Sequence, residues 1–465
     1  MSKRKNNNQQ DTNNTFHKVP FSQKAYFGIS IAGFTFIVSM IDGALLKFYT
    51  DFILFPALWF GIVQLLFAIM NAINDPIIGY FSDRTKPVEG KGKRKIWLYR
   101  AIPLLGIGYF LIIVMNPYVP HVMIFIFLLI GLTLYDTGYA MHGINRSALM
   151  ITITDDDSER ASIVSTSLVF QTILGIISYI LILLFFTGTT PLSVLYIVFT
   201  IVGVIGIGVA FLGVNGIKEP SKLYYGQRYL KIKLLIKEVF KSKSFIFYIL
   251  LQFVVGAVTS TVITFQVFYF EDVIGVVGSI VALVSGITLP FTFFAYYLVQ
   301  IVTKRLGPRK TLMIFISMNI IAFIGLLSTR IFIFSVIFYL IVNMGNASFW
   351  ILSTPILGNV IDENELKTGN RNEGTFLRIN AIFVSPSKSI MIFLFTLIIT
   401  SMGYNGAAIV QTEDAVLGIQ LGTALIPIIL LIIGFVLLLF FPLRGEKLER
   451  VKNEMKKIYD KRLEE

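Results

Sequence analysis

No cysteine occurs anywhere in the chain. That removes disulfides, thiol nucleophiles and cysteine-ligated metal from consideration. Histidine is nearly as scarce: His17, His121 and His142 are too scattered to read as a zinc site. Charge is thin as well, at 14% of residues against roughly 25% in soluble domains. With 55% hydrophobic residues and a mean hydropathy of +0.75, too little polar surface remains to coat a water-soluble globule. The phosphate loop Gly-x-x-x-x-Gly-Lys-[Ser/Thr] is missing, so ATP is not expected to drive the protein directly. Nor do catalytic groups cluster near one interface; the acidic run 155–159 reads as a solvated loop, and no enzyme is expected.

What is present is apolar and comes in long blocks. Twelve spans are read at about 25–49, 53–80, 97–116, 122–146, 162–187, 192–213, 246–270, 277–302, 311–329, 331–358, 376–401 and 417–441. Each is long enough to cross about 30 Å of hydrocarbon as a helix. Lipid offers no hydrogen-bond partners, so each segment must satisfy its own backbone, and helix is the simple solution. The expected fold is an all-α membrane protein of twelve transmembrane helices in two pseudo-symmetric six-helix bundles.

The net charge of +13 fits the bias of basic residues toward cytosolic loops. The loop after span two carries Arg84, Lys86, Lys91, Lys93, Arg94, Lys95 and Arg100; the connection 214–245 carries eight basic residues. Lys304, Arg305, Arg309 and Lys310 follow span eight, and Lys367 and Arg371 follow span ten. Of the opposite loops only Arg330 is basic. This alternation places both termini in the cytosol of a multi-pass protein in the cell membrane. Because the basic residues sit in short loops between apolar segments, nucleic acid is not an expected partner.

The chain divides into a polar tail at 1–24, a six-span bundle at 25–213, a connection at 214–245, a second bundle at 246–441 and a tail helix at 442–465. The first tail is rich in Asn and Gln and reads as disordered; it lacks the apolar core of a signal peptide. Segment 230–243 repeats Ile232, Leu235, Ile236, Val239 and Phe240 at helical spacing with five interleaved lysines, an amphipathic helix expected at the membrane surface. The final tail repeats this with Leu448, Val451, Met455 and Ile458. The halves echo each other: Gly90–Lys95 after span two answers Arg305–Lys310 after span eight, and Asp155–Arg160 answers Asp362–Lys367. Such repetition is expected of a transporter whose two bundles rock around a midplane site.

A charge inside the bilayer is costly, so the few present are candidates for function. Asn71, Asn74 and Asp75 share one helix face at i, i+3 and i+4. Three oxygen-bearing side chains there suit a small hard cation, or a proton on the carboxylate; a helix-packing hydrogen-bond cluster is the structural alternative. Pro76 and Gly79 allow a kink. Asp136, with Thr133 one turn earlier, can accept hydrogen bonds from sugar hydroxyls or pair with a cation. Lys388, in Ser385-Pro386-Ser387-Lys388-Ser389, can pair with Asp75 or Asp136, or bind an anionic substrate. Asp42, before Gly43, is a further candidate, two turns beyond Thr35. His142 and Arg146 lie near the end of span four, where water is close. Trp350 offers a sugar-stacking surface or a plain lipid contact.

Two stretches carry a resemblance. Asn71–Tyr80 followed by Ser82-Asp83-Arg84-Thr85, and Asp362–Gly369 followed by Arg371, Glu373 and Gly374, resemble the two signatures of the glycoside–pentoside–hexuronide:cation symporters. That group is the melibiose-permease-like branch of the major facilitator superfamily. The resemblance implies secondary active symport of a small solute, a sugar or glycoside, driven by sodium or protons through alternating access. It implies a cation site, sodium included, at Asn71, Asn74, Asp75 and Thr133, and substrate contacts at Asp136, Lys388 and Trp350. The sequence departs from the pattern at Asn71 and Thr35, where aspartates are expected, and at Ala140, where an aromatic is expected; no arginine occurs early in span five. Asn71 weakens a sodium site and favours proton coupling. A lysophospholipid or other amphiphile carrier of the same fold is the rival reading, with Lys388 meeting the phosphate. A non-transporting sensor is disfavoured by the shortness of the tails. The expected partners are solute, cation and bilayer; a monomer suffices, and no cofactor beyond a sodium ion is implied.

Overall fold

In the computed structural model the described residues are 19–85, 92–154, 157–186, 190–219, 241–369, 373–408 and 410–464. The amphipathic segment 230–243 falls almost wholly outside them, as do Arg371 and most of the Gly-Lys-rich loop. The chain forms two compact units, Met1–Arg228 and Tyr229–Glu465.

The first unit contains α1 (Phe21–Lys47), α2 (Ala57–Arg84), α3 (Arg94–Ile113), α4 (His121–Ile153), α5 (Asp157–Phe185) and α6 (Leu192–Gly216). Four of these helices start directly after a proline: Pro20, Pro56, Pro120 and Pro191. A proline costs least at a helix entrance, where its missing N–H has no partner to lose. The first helix therefore begins at Phe21, inside the segment expected to be tail.

The second unit contains α7 (Lys243–Phe268), α8 (Gly278–Ser328), α9 (Phe332–Thr368), α10 (Glu373–Ser401), α11 (Glu413–Gln420), α12 (Ile426–Leu439) and α13 (Glu446–Glu464). A short π-helical turn, Leu421–Leu425, joins α11 and α12 into one apolar span. At 51 residues α8 would be about 76 Å long if straight, more than twice the hydrocarbon thickness. It breaks at Gly307, whose φ of 76° and ψ of 164° lie outside the helical region. The eleven apolar helices among the described residues thus make twelve crossings, six in each unit.

An internal repeat invisible in the linear sequence joins the halves. α1 ends in a π-helical turn, Phe48–Phe52, and α7 ends in another, Tyr269–Val273. Tyr49 in the first turn donates to Ile112 O at the end of α3, 2.6 Å away; Tyr269 in the second donates to Leu326 O near the end of α8, at 2.9 Å. Each turn is followed by a residue with positive φ, Leu54 at 57° and Gly275 at 80°.

Close packing sets the position of α4. A Cβ on Gly108 of α3 would lie 2.2 Å from Tyr135 N, and one on Gly138 of α4 would lie 2.5 Å from Leu105 N. The two backbones touch, as small residues allow in membrane helix pairs. At the basic-loop end of this unit Glu219 caps α3: its Oε1 accepts from the amides of Lys93 and Arg94, at 2.9 and 2.8 Å, and its Oε2 from that of Lys95 at 2.6 Å. Arg94 is buried beside Ser82 and Asn145, donating to both, while Ser82 donates to Asn145 Oδ1.

The tail helix α13 departs from expectation. Its apolar stripe does not face lipid: Val451 and Met455 are buried, and α13 docks on α9. Burial of these apolar side chains against protein drives the docking, and an ion pair fixes the helix start. Lys447 Nζ lies 2.7 Å from Glu363 Oε1, which Lys367 also reaches at 2.8 Å.

Candidate functional site

α4 is the organising helix, with polar groups on two faces. Its first face meets α2. Asn74 Nδ2 donates to Thr137 Oγ1 at 3.0 Å, and Thr137 in turn donates to Thr133 O at 2.6 Å. Thr133 Oγ1 is turned back to Leu129 O, 2.7 Å away. Asp75 is half-buried on α2 and makes no hydrogen bond or ion pair among the described residues; Asn71, also half-buried, makes none either. The face thus offers amide and hydroxyl oxygens and a single carboxylate, a set suited to a singly charged cation or a proton. Hydropathy does not single out Thr137, although its spacing of four from Thr133 is the signal that finds it.

The second face meets α1 and α5. Tyr135 and Tyr139 lie within electrostatic range of both Asp42 of α1 and Asp136 of α4. The structure therefore gathers these two candidate carboxylates around a pair of tyrosines, a second group the sequence does not single out. Thr35 packs on α5 instead: its hydroxyl donates to Ile31 O at 3.1 Å, and its methyl stands 3.2 Å from where a Cβ on Gly175 would be.

His142 is not in water, and Arg146 is half-buried. His142 is fully buried and stacks on Phe34 of α1, ring centroids 4.1 Å apart and planes inclined by 21°. Arg146 reaches α5, where its Nη1 lies 3.3 Å from Ser167 Oγ. The expectation of solvent came from the end of the apolar run near residue 146. The helix continues to Ile153, and the folded packing of α1 and α5 covers this turn.

In the second unit Lys388 is half-buried on α10 between the buried Ser387 and Ser389. Trp350 projects from α9 with 71% of its surface exposed and stacks on no other ring among the described residues. One turn further along α9, Ser353 accepts from Gln252 Nε2 of α7 at 2.9 Å, a polar contact not anticipated from sequence. A cavity of about 870 Å³ between α3 and α6 is lined by apolar side chains such as Ile102, Ile107, Phe110 and Ile207 and holds none of these groups.

Twelve apolar crossings in two repeated units, each with a few half-buried polar groups, match a known pattern. The profile of the family described as MFS/sugar transport protein matches residues 26–445. The chain belongs to this family. It is a multi-pass membrane transporter of the major facilitator fold, not an enzyme. Among its relatives is a Salmonella typhimurium protein provisionally assigned as a 2,3-dihydroxypropane-1-sulfonate exporter, 23% identical over 94% of this chain and 96% of that one. The isoprimeverose transporter of Lactiplantibacillus pentosus is 24% identical over 94% of this chain and 91% of its own. The crystal structure of a D-xylose–proton symporter superposes with a TM-score of 0.67 at 14% identity, covering 92% of this chain and 98% of that one. That likeness concerns the fold.

Proposed function

We propose that the protein is a cation-coupled symporter that carries a sugar or glycoside across the cell membrane by alternating access, working as a monomer with both termini in the cytosol. The observation that carries the reading is Asp75: a half-buried carboxylate inside a membrane helix, with no hydrogen bond or ion pair among the described residues, beside Asn71 and Asn74, the latter bonded across to Thr137 one turn from Thr133. An intramembrane carboxylate without a protein partner is costly unless an ion or a proton meets it. Asp136 and Asp42, grouped with Tyr139, supply acceptors for sugar hydroxyls, and Trp350 supplies a face for stacking. Lys388 is the second unit's charge for alternating with the cation or for meeting a substrate anion. The isoprimeverose transporter among the related proteins supports a sugar as the solute. Asn71 in place of a second carboxylate lowers the charge of the cation site and favours a proton over sodium.

The test is uptake into proteoliposomes of a panel of pentoses, glycosides and lysophospholipids, each under an imposed sodium or proton gradient. Accumulation of a sugar under one gradient, and not under the other, is expected. Asp75→Asn is expected to fold and to retain exchange of the solute while losing gradient-driven accumulation. Full accumulation by that variant removes Asp75 from the coupling role, and movement of lysophospholipid alone moves the solute class to amphiphiles.

A further inference from the structure

The second face of α4 holds positive groups that the symport reading leaves unused. Along the helix the carboxylate of Asp136, the phenol of Tyr139, the imidazole of His142 and the guanidinium of Arg146 follow one another, from acidic to basic, within a single apolar span. Tyr135, Tyr139, His142 and Arg146 recur at spacings of three and four and so share one side of the helix. Both nitrogens of His142 are buried without a hydrogen-bond partner, and so is Arg146 Nε. Among the described residues Arg146 makes one hydrogen bond, the long contact to Ser167 Oγ at 3.3 Å, and no carboxylate pairs with it. A guanidinium inside a bilayer is normally matched by a counter-charge, and buried donors are normally satisfied. Here Arg146 Nε and the imidazole of His142 stand one turn apart and have no acceptor among the described residues.

We infer that Arg146, with Ser167 and His142, forms a subsite for an oxyanion carried by the transported solute, a carboxylate or a sulfonate. This rests on the solute-carrier reading above and narrows it to acidic solutes. The chemistry is direct. A guanidinium binds a planar or tetrahedral oxyanion through two parallel N–H bonds, which also fix its orientation. Ser167, whose own proton goes to Ile163 O at 2.8 Å, accepts from the guanidinium and orients it, and an imidazole N–H of His142 adds one donor. Asp136 and Asp42 lie farther along the chain of groups, beyond Tyr139, where they accept from hydroxyls and repel the acid group. A solute with an acid at one end and hydroxyls at the other is thereby bound in one orientation only. The side chain of a helical residue leans toward the N-terminus, so the guanidinium points back along α4 toward Tyr139 and Asp136.

The experiment uses the full-length protein in proteoliposomes and measures counterflow of three acid–neutral pairs: glucuronate and glucose, sulfoquinovose and its 6-deoxyglucose parent, and 2,3-dihydroxypropane-1-sulfonate and propane-1,2-diol. At least one acid is expected to exceed its neutral partner by about ten-fold or more, the scale of a charge-assisted bond. Arg146→Gln is expected to remove that advantage while neutral exchange persists, and Arg146→Lys, which keeps the charge without the fork, to restore part of it. Size-exclusion profiles of both variants report folding. A preference for the neutral partners, or equal losses of acidic and neutral exchange in Arg146→Gln, overturns the subsite and leaves sugar transport standing. Competition by inorganic phosphate or chloride at the same concentration as the acid overturns its assignment to the solute. Movement of no member of the panel overturns the carrier reading on which the subsite rests.

Discussion

Gly138→Ala tests whether the α3–α4 seam is what holds the site in place. A Cβ at this position would lie 2.5 Å from Leu105 N and 2.7 Å from Ala101 O. Both are backbone atoms of α3, so no rotamer change relieves the contact. The helices must part by roughly 1 Å to reach ordinary van der Waals distance. Overpacking of this kind costs about 1–3 kcal/mol, which for a unit of this size lowers the melting midpoint by roughly 3–10 °C. Asp136 and Thr137 adjoin Gly138 and move with it. A displacement of about 1 Å at a binding constellation can cost roughly a hundred-fold in rate, so solute exchange is expected to fall by at least about ten-fold. Gly143→Ala is the control on the same helix, because a Cβ there meets nothing within 4 Å. Alanine is a better helix former than glycine by about 1 kcal/mol, so its midpoint should hold or rise slightly. Heating series of both variants followed by size-exclusion chromatography, together with counterflow of the sugar identified in the panel, measure the two effects. Equal midpoints and equal exchange for the two variants would refute the argument that backbone contact with α3 positions the site.

Gly307→Ala places a side chain at φ 76° and ψ 164°, a region open to glycine alone; a cost of about 1–3 kcal/mol is expected, read as a lower melting midpoint, and an unchanged midpoint would show that the break in α8 relaxes freely. Glu219→Ala leaves three amides at the start of α3 without their acceptor; a loss of about 2–3 kcal/mol is expected from capping and charge-assisted bonds, with Glu219→Gln losing less, and the reverse order would discount the carboxylate's charge. Glu363→Gln weakens the anchor for Lys447 and Lys367, so amide hydrogen exchange in 446–458 should speed up while exchange in α3 stays constant; unchanged protection of α13 would assign its docking to Val451 and Met455 alone.

Much of the architecture is legible in the sequence, because the bilayer makes hydrophobic length a near-sufficient signal. Twelve spans, the division at the centre and the basic loops all follow from it. Asn71, Asn74 and Asp75 are legible for the same reason: polar side chains at i, i+3 and i+4 stand out in an apolar helix. Three features are not legible, each because tertiary contact decides it. Arg146 lies where the apolar run thins, so hydropathy assigns it to water; only the packing of Phe34 and Ser167 against α4 shows that this turn is covered. The stripe of α13 announces that something must bury it, but not whether that is lipid or protein, and the docking of α13 on α9, with Lys447 paired to Glu363, supplies the answer. The π-helical turns ending α1 and α7 have unlike sequences, Phe-Tyr-Thr-Asp-Phe and Tyr-Phe-Glu-Asp-Val. Their equivalence appears only through the carbonyls that Tyr49 and Tyr269 reach.

The two faces of α4 bear on coupling itself. Thr137 meets Asn74 on the proposed cation face of α2, while Tyr139, His142 and Arg146 meet α1 and α5, and all four residues ride on one continuous helix. A helix keeps its internal hydrogen bonds, so it moves as a rod when one face is pulled. Gly108 and Gly138 fix the rod against α3 with backbone contact, which leaves little play for one face to adjust without the other. If an ion binds at Asp75 and Thr133 as proposed, closing oxygen ligands around it would change the spacing available to a solute between α4 and its other neighbours. Reciprocity then requires the solute to alter the ion's affinity by the same factor. Symport of this kind needs no contact between ion and solute, only a shared element stiff enough to carry displacement from one to the other.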